Sequence, residues 1–223
     1  MTDNRRPLKS RGTGWATGLA RLCTRMGLSP DTISALSVVF AGVGFWAFWM
    51  SATAEVAERA GWLFAAGVAI QLRLLANLLD GMVAVEHGRG GPLGPVWNEL
   101  PDRIADALFL VGAGMALRVY DPAFGPMLGW TAALLAVLTA YIRELGRALG
   151  QAAVFTGPGA KPHRMAALTL GCLVAAGLAL TLSDYSFAAL WLALAVIVLL
   201  TAVTVVRRTL RLAAWLKARD GSA

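Results

Sequence analysis

The sequence is poor in charged residues: Lys, Arg, Asp and Glu make up 15% of its 223 residues, against about 25% in a typical soluble domain. Hydrophobic residues make up 57%, and the mean hydropathy is +0.63, so a water-soluble globule of this size would expose much apolar surface. Intrinsic disorder is excluded, because the chain has too little polarity to remain unfolded in water. The composition therefore predicts a polytopic membrane protein.

Cysteine is scarce as well, and glycine has no regular period. The two cysteines, Cys23 and Cys172, lie far apart in different kinds of segment, which excludes a disulfide-stapled secreted domain. The 24 glycines do not repeat every three residues, which excludes collagen. The net charge of +7 indicates cytoplasmic loops in a membrane protein. Because no basic cluster interleaved with aromatic residues stands clear of the apolar stretches, we expect no nucleic-acid binding.

Six stretches have the roughly 20 apolar residues that a helix needs to cross a bilayer. The predicted fold is therefore all-α, with six transmembrane helices. The predicted spans are Thr32–Ala52, Arg59–Val85, Asn98–Arg118, Met127–Ala152, Arg164–Leu182 and Phe187–Val206.

An even number of spans places both termini on the same side of the membrane. Lys and Arg are concentrated at the two termini and in the joints after the second and fourth spans, whereas the other three joints are nearly bare of them. The positive-inside rule therefore predicts cytoplasmic termini in an inner (cell) membrane protein. We divide the chain into a basic, amphipathic cytoplasmic segment (1–30), a six-helix membrane domain (31–206) and a basic cytoplasmic tail (207–223).

A short amphipathic helix is predicted before the first span. Five apolar side chains fall on one face of it, namely those of Trp15, Leu19, Leu22, Cys23 and Met26, while its arginines fall elsewhere. This pattern favours a helix that lies in the cytoplasmic interface of the membrane and contacts lipids. The alternative is a basic flank that only sets the orientation of the first span.

Polar side chains inside the spans are concentrated in the second, third and fourth spans. Asn77 and Asp80 are three residues apart, hence neighbours on one helix face, and Asn98, Asp102 and Asp106 form a stripe with a spacing of four. Two antiparallel helices joined by a short loop can bring these faces together. The sequence thus predicts a pocket of carboxylates and carboxamides just inside the cytoplasmic surface.

Carboxylates packed this closely would repel one another unless a cation lay between them. All-oxygen ligands favour Mg²⁺, Ca²⁺ or Mn²⁺ over zinc. The alternative is a polar network that only locks the helices together, with Arg103 or Arg73 as counter-ions. Basic residues at the same predicted depth indicate a substrate with several phosphates; they are Arg143, Arg147, Lys161 and Arg164.

These residues resemble the CDP-alcohol phosphotransferase family, whose signature is D-x2-D-G-x2-A-R-x8-G-x3-D-x3-D. The chain keeps every spacing of the signature, with Asn77, Asp80, Gly81, Ala84, Val85, Gly94, Asn98 and Asp102 at the defined positions. Pro30 to Ile33 resembles the segment that precedes the family's first span. Arg143-Glu144 is similar to an element of its phosphatidylglycerophosphate synthases, and Gly157 to Lys161 is similar to its Gly-Lys element.

The resemblance implies a reaction and a site. Family members transfer a substituted phosphoryl group from a CDP-linked donor, often CDP-diacylglycerol, to an alcohol and release CMP. On this resemblance, Mg²⁺ or Mn²⁺ is held by Asn77, Asp80, Asn98 and Asp102. Asp102 takes the proton of the acceptor, and the nucleotide contacts Asp80, Gly81, Ala84 and Gly94. The acceptor's phosphate binds Arg143, Arg147, Lys161 and Arg164. A homodimer is also implied.

The chain departs from the signature at three positions, because two aspartates are replaced by Asn77 and Asn98 and the arginine is replaced by Val85. An amide oxygen can bind Mg²⁺ but brings no charge. We expect weaker metal binding, with Asp106 as a further catalytic carboxylate and Arg89 in place of the arginine. Three alternatives stay open: a CDP-diacylglycerol-dependent enzyme, an enzyme with a soluble CDP-alcohol donor and a lipid acceptor, and an inactive scaffold that binds lipid or nucleotide.

Overall fold

The described part of the chain is entirely helical. The computed structural model describes residues 13–86, 94–182 and 185–220, without the side chains of residues 85, 86, 95 and 98. Its helices are α1 (Gly14–Arg25), α2 (Pro30–Ser51), α3 (Val56–Glu86), α4 (Gly94–Ala116), α5 (Phe124–Ala148), α6 (Lys161–Thr181) and α7 (Ser186–Asp220). A single 3₁₀ turn, Leu117–Val119, follows α4. The all-α prediction is confirmed over these residues, which contain no strand.

Local sequence signals account for several helix ends. The hydroxyl of Ser29 accepts a hydrogen bond from the backbone N–H of Thr32 at 3.1 Å, and Pro30 stands in the first turn of α2, where its missing N–H costs nothing. The predicted fourth span is wrong at its end, since α5 stops at Ala148 rather than Ala152. Gly150 has a φ of +96°, which turns the backbone out of the helix.

Helices α2 to α7 pack as a closed ring. Around the ring each helix packs against its two neighbours in the order α2, α3, α6, α7, α5 and α4, and α4 packs against α2 again. All six contribute to one core of buried apolar side chains, many of them alanines. Small residues permit close approach: a Cβ placed on Gly114 would lie 2.6 Å from the Cα of Gly129, so the backbones of α4 and α5 are nearly in contact.

Within the described ranges, five helices are long and apolar enough to cross a membrane, namely α2, α3, α5, α6 and α7. They correspond to five of the six predicted spans. The remaining one, Asn98–Arg118, folds as α4, which carries four charged residues between Glu99 and Asp106. The sixth span therefore stays a prediction. Large apolar side chains such as Trp130, Leu134 and Leu199 are exposed on the outer surface of the ring, as expected of helices that face lipid.

The two ends of the chain add helical structure to the ring. Helix α1 packs Ala16 and Ala20 against α3, while Trp15, Leu22 and Met26 remain exposed. Its position in the membrane interface stays a prediction. Helix α7 has 35 residues, or about 52 Å, and so extends well beyond the predicted span Phe187–Val206 into the predicted tail.

Candidate functional site

The carboxylates of α4 meet cations from two other helices inside the ring. Nη2 of Arg73, on α3, lies 3.1 Å from Oδ1 of Asp102 and 2.8 Å from Oδ1 of Asp106. The same nitrogen donates to the backbone carbonyl oxygen of Asp102 at 3.0 Å. From α6, Lys161 Nζ contacts Oδ2 of Asp102 at 2.5 Å, and Arg164 Nη2 contacts Oδ2 of Asp106 at 3.0 Å. Every carboxylate oxygen of these two aspartates is therefore paired with a cation.

These charges lie at different depths in the protein. Arg73 is fully buried, and Asp106 and Arg164 are nearly so, whereas the side chains of Asp102 and Lys161 keep about 15% and 13% of their surface exposed. The spacing of four residues between Asp102 and Asp106 puts one carboxylate in the core and the other at the edge of the site. Of these two aspartates, Asp102 is thus the one that a ligand can reach.

Asp80 is the exception among the aspartates of the site. It is 7% exposed, and its Oδ2 accepts a hydrogen bond from the hydroxyl of Ser34, on α2, at 2.8 Å. Within the described residues no Lys or Arg forms an ion pair with it, although the charges of Asp102 and Lys161 act on it through space. A buried carboxylate without a cation in contact is costly, so Asp80 is the place in this cluster where a bound cation would be most favourable.

The turn between α5 and α6 positions the cations of α6. Thr204, on α7, accepts a hydrogen bond from the backbone N–H of Gly159 at 2.7 Å. A Cβ on Gly159 would lie 2.4 Å from the backbone of Thr201, so the turn lies directly on α7. The carbonyl of Gly159 in turn accepts from Arg164 at 2.6 Å. Two residues after this contact, Lys161 begins α6 and reaches Asp102.

A second group of charges surrounds Arg143 on α5. Its guanidinium contacts Glu99 of α4 at 2.5 Å and Glu144 at 2.8 Å, and it lies over the ring of Phe155 at 5.1 Å. Arg147 is bound to the same Glu144 and is 40% exposed. The ion pairs explain how Arg143 is accommodated near the end of a membrane-facing helix. They also leave Arg147 at the rim, where an approaching anion would meet it first.

Of the expected site residues, the structure brings four into direct contact at the cluster, as the pairs Asp102–Lys161 and Asp106–Arg164. Asn77 lies on α3 between Arg73 and Asp80 and is half-buried, as are Gly81 and Ala84. Gly94, at the start of α4, has open space where a Cβ would stand. The side chain of Asn98 and the whole of Arg89 lie outside the described residues.

Sequence reasoning missed several members of the cluster. Arg73 was considered only as a counter-ion, although a charged residue in the middle of a span is itself a signal of function. Ser34 and Glu99 gave no signal, because a hydroxyl in an apolar helix and a carboxylate near a helix start are both common. Thr139 accepts from Arg164 and, through its carbonyl, from Arg208, a pairing that depends entirely on the ring packing.

The oxygen atoms of Asp80 and Asp102 are the candidate ligands for a divalent cation at this site. In the part of the chain that the structure describes, no three His, Cys, Asp or Glu side chains form a group that could hold a metal ion. Asp80 and Asp102 nevertheless supply hard oxygen atoms, and no Lys or Arg of the described ranges forms an ion pair with Asp80, which is bound by Ser34. Amide oxygens and the phosphates of a substrate are ligands that Mg²⁺ and Mn²⁺ accept. These residues therefore fit a divalent cation that is completed by amides and by substrate.

Comparison with known proteins shows which solved structures have a similar fold. No model of a known protein family matches the sequence. The chain is similar to phosphatidylinositol phosphate synthase of Mycobacterium tuberculosis in complex with manganese and citrate, with a TM-score of 0.71, 22% identity and 88% of each chain covered. The form of that enzyme with CDP-DAG bound gives the same TM-score and identity over 88% of this chain and 92% of that one.

A curated relative adds sequence similarity. The chain is 33% identical over 155 residues to the bifunctional IPC transferase and DIPP synthase of Rubrobacter xylanophilus, a match that covers 67% of this chain and 32% of that protein. The chain thus spans about a third of the length of this relative. Together, the two comparisons confirm the resemblance to the CDP-alcohol phosphotransferase family, whose fold this chain has.

Proposed function

We propose that the chain is an integral membrane enzyme of phospholipid synthesis, which transfers a phosphatidyl group from CDP-diacylglycerol to an alcohol and releases CMP. The observation that carries the proposal is Asp80, a buried carboxylate of the family motif that has no ion-pair partner among the described residues. The charge of Asp102, the other charged motif position, acts on it through space. The similarity to an enzyme whose structure contains CDP-DAG supports the choice of donor.

The proposed metal site consists of Asp80 and Asp102 with the amides of Asn77 and Asn98. Mg²⁺ or Mn²⁺ bound there would neutralise charge that develops on the diphosphate of the donor. Lys161 now contacts Oδ2 of Asp102 and would have to leave that oxygen when Asp102 binds a metal. The released ammonium would then face the phosphates of the substrate.

In the proposed reaction the hydroxyl oxygen of the acceptor attacks the phosphorus that carries diacylglycerol. A new P–O bond forms, the bond from that phosphorus to the bridging oxygen breaks, and CMP leaves with the bridging oxygen. The carboxylate of Asp102 takes the hydroxyl proton. Gly81, Ala84 and Gly94 leave room for the nucleotide, with Arg89 as a further contact.

The remaining predicted site residues receive narrower roles. Arg143 and Lys161, whose side chains are 11% and 13% exposed, would bind a phosphate of the acceptor, with Arg147 at the rim. Arg164 is buried against Asp106, so we assign these two residues to positioning α6 and α4. This replaces the catalytic role first expected of Asp106.

The proposal extends to location and assembly. The positive-inside pattern of the sequence supports a site on the cytoplasmic face of the inner membrane. Exposed apolar surface on the outside of the ring supports contact with lipid and is compatible with a homodimer.

The test is release of CMP by the purified full chain in lipid-detergent micelles, with Mn²⁺ or Mg²⁺, CDP-diacylglycerol and alcohols with and without a phosphate group. Asp80→Asn should abolish release. Asp121→Asn is the matched control, because Asp121 follows the far end of α4 and binds Trp191 at 3.0 Å. Release from a soluble CDP-alcohol alone would assign the other donor class, and nucleotide binding without release under any condition would favour a scaffold.

A further inference from the structure

The guanidinium of Arg73 lies in a setting that is typical of a metal ion. Its Nη2 is surrounded by three oxygen atoms of α4: the carbonyl oxygen of Asp102 at 3.0 Å, Oδ1 of Asp102 at 3.1 Å and Oδ1 of Asp106 at 2.8 Å. Two carboxylates and a carbonyl form the all-oxygen donor set that hard divalent cations prefer. A single nitrogen atom of the protein occupies the centre of this set.

Within the described residues, Arg73 is held through Nη2 alone, which donates hydrogen bonds to Asp102 and forms ion pairs with Asp102 and Asp106. The side chain is fully buried, and its Nε and Nη1 have no hydrogen-bond partner among the described residues. A guanidinium in the core retains its charge, and leaving two of its donors unpaired costs free energy. The ion pairs with the carboxylates of Asp102 and Asp106 offset this cost.

The sequence of α3 matches this arrangement. Arg73 and Asn77 are four residues apart, so they share a face of the helix, and Asn77 stands where the family motif has an aspartate. On this face of α3 the chain thus lacks one carboxylate of the motif and carries a buried arginine one turn away. A missing negative charge beside a buried positive one is expected where a protein side chain takes the place of a bound cation.

We propose that Arg73 is a built-in cation, which occupies an oxygen-lined position of the site and so restricts divalent metal to the Asp80 side of Asp102. This inference deepens the proposed function, because it concerns the cations of the same site. Arg73 acts through Asp102 and is a positioning residue: it fixes the orientation of one carboxylate oxygen so that the other faces the substrate.

The test is the number of Mn²⁺ ions bound by the purified full chain, together with the rise in melting temperature that Mn²⁺ produces. Arg73→Met removes the positive charge from the cage formed by the carbonyl oxygen and Oδ1 of Asp102 and Oδ1 of Asp106. This variant should therefore bind about two ions per chain where the natural chain binds about one. Mn²⁺ should also stabilise the variant more than it stabilises the natural chain. Arg73→Lys, which keeps a cation in the cage, should bind about one ion.

Arg59→Met is the matched control. Arg59 is a partly buried arginine at the opposite end of α3, where it contacts the hydroxyl of Ser186 at 3.3 Å and the ring of Phe187, and this variant should bind as many ions as the natural chain. Arg73→Ala is a second variant, which leaves more space for an ion with its waters and should behave as Arg73→Met does.

The inference is overturned if neither Arg73→Met nor Arg73→Ala gains an ion, or if both fail to fold with Mn²⁺ present. Its failure is distinguishable from that of the proposed function. A natural chain that binds no Mn²⁺ contradicts the metal-dependent function, whereas an ion gained on removal of Arg73 supports the built-in cation in either case.

Discussion

Replacement of Asp106 by Asn should destabilise the protein strongly, whatever its effect on activity. The carboxylate of Asp106 lies between Arg73 at 2.8 Å and Arg164 at 3.0 Å, and all three side chains are at most 4% exposed. Removal of one partner from a buried ion pair typically costs about 3–5 kcal/mol, because the other charge stays buried and unpaired. Asp106→Asn affects two guanidinium groups at once, so we expect a loss in the upper part of that range.

For a chain of this size a loss of about 3–5 kcal/mol corresponds to a fall in melting temperature of roughly 6–20 °C. The assay is thermal unfolding of the purified chain in detergent, followed by circular dichroism. Glu144→Gln is the control, since Glu144 is 37% exposed and its ion pairs with Arg143 and Arg147 lie near the surface. Such pairs contribute about 0–1 kcal/mol. Equal melting temperatures for the two variants would refute the view that Asp106 holds the helices together.

Three further predictions concern the surroundings of the site. Ser34→Ala removes the hydroxyl that donates a hydrogen bond to Asp80 at 2.8 Å. Because this hydroxyl orients a proposed metal ligand, its loss should weaken Mn²⁺ binding by about 10–100-fold; unchanged affinity in a Mn²⁺ titration would contradict this. Gly159→Ala places a Cβ 2.4 Å from the backbone of Thr201 and should lower the free energy of unfolding by about 1–3 kcal/mol through overpacking. Gly177→Ala is the control, because a Cβ there meets nothing within 4 Å, and it should not lower the melting temperature. Lys161→Met removes the ammonium from Oδ2 of Asp102 and leaves only the more distant Nη1 of Arg103, at 3.7 Å, beside that oxygen among the described residues. The variant should therefore tighten Mn²⁺ binding while raising the KM of a phosphate-bearing acceptor; a KM shift without the gain in Mn²⁺ affinity would show that Lys161 does not compete with metal.

The sequence was sufficient for the helical class and for the approximate positions of the helices, because both follow from local properties. Apolar runs reveal buried or lipid-facing helices, and Ser29-Pro30 gives the start of α2 directly. The end of α5 was misplaced because Gly150 ends the helix inside a stretch whose composition is still apolar. The order of helices around the ring depends on packing between distant segments, which periodicity does not encode.

Helical spacing predicts part of the charge cluster but not its contacts. A spacing of four puts Asp102 and Asp106 on one face of α4, where Arg73 contacts both. Which cation pairs with which carboxylate depends on how α3, α4 and α6 meet inside the ring. For that reason Asp106 was expected to be catalytic, whereas the structure pairs both of its oxygens, and Arg73 was underrated although it contacts both aspartates.

Anomalous scattering from crystals soaked in Mn²⁺ would show whether the motif residues of α3 and α4 hold a divalent cation. We expect a manganese peak within bonding distance of the carboxylates of both Asp80 and Asp102, with Lys161 withdrawn from Asp102. A manganese-saturated crystal in which Asp80 and Asp102 contact no metal, or in which Lys161 still occupies Asp102, would contradict it.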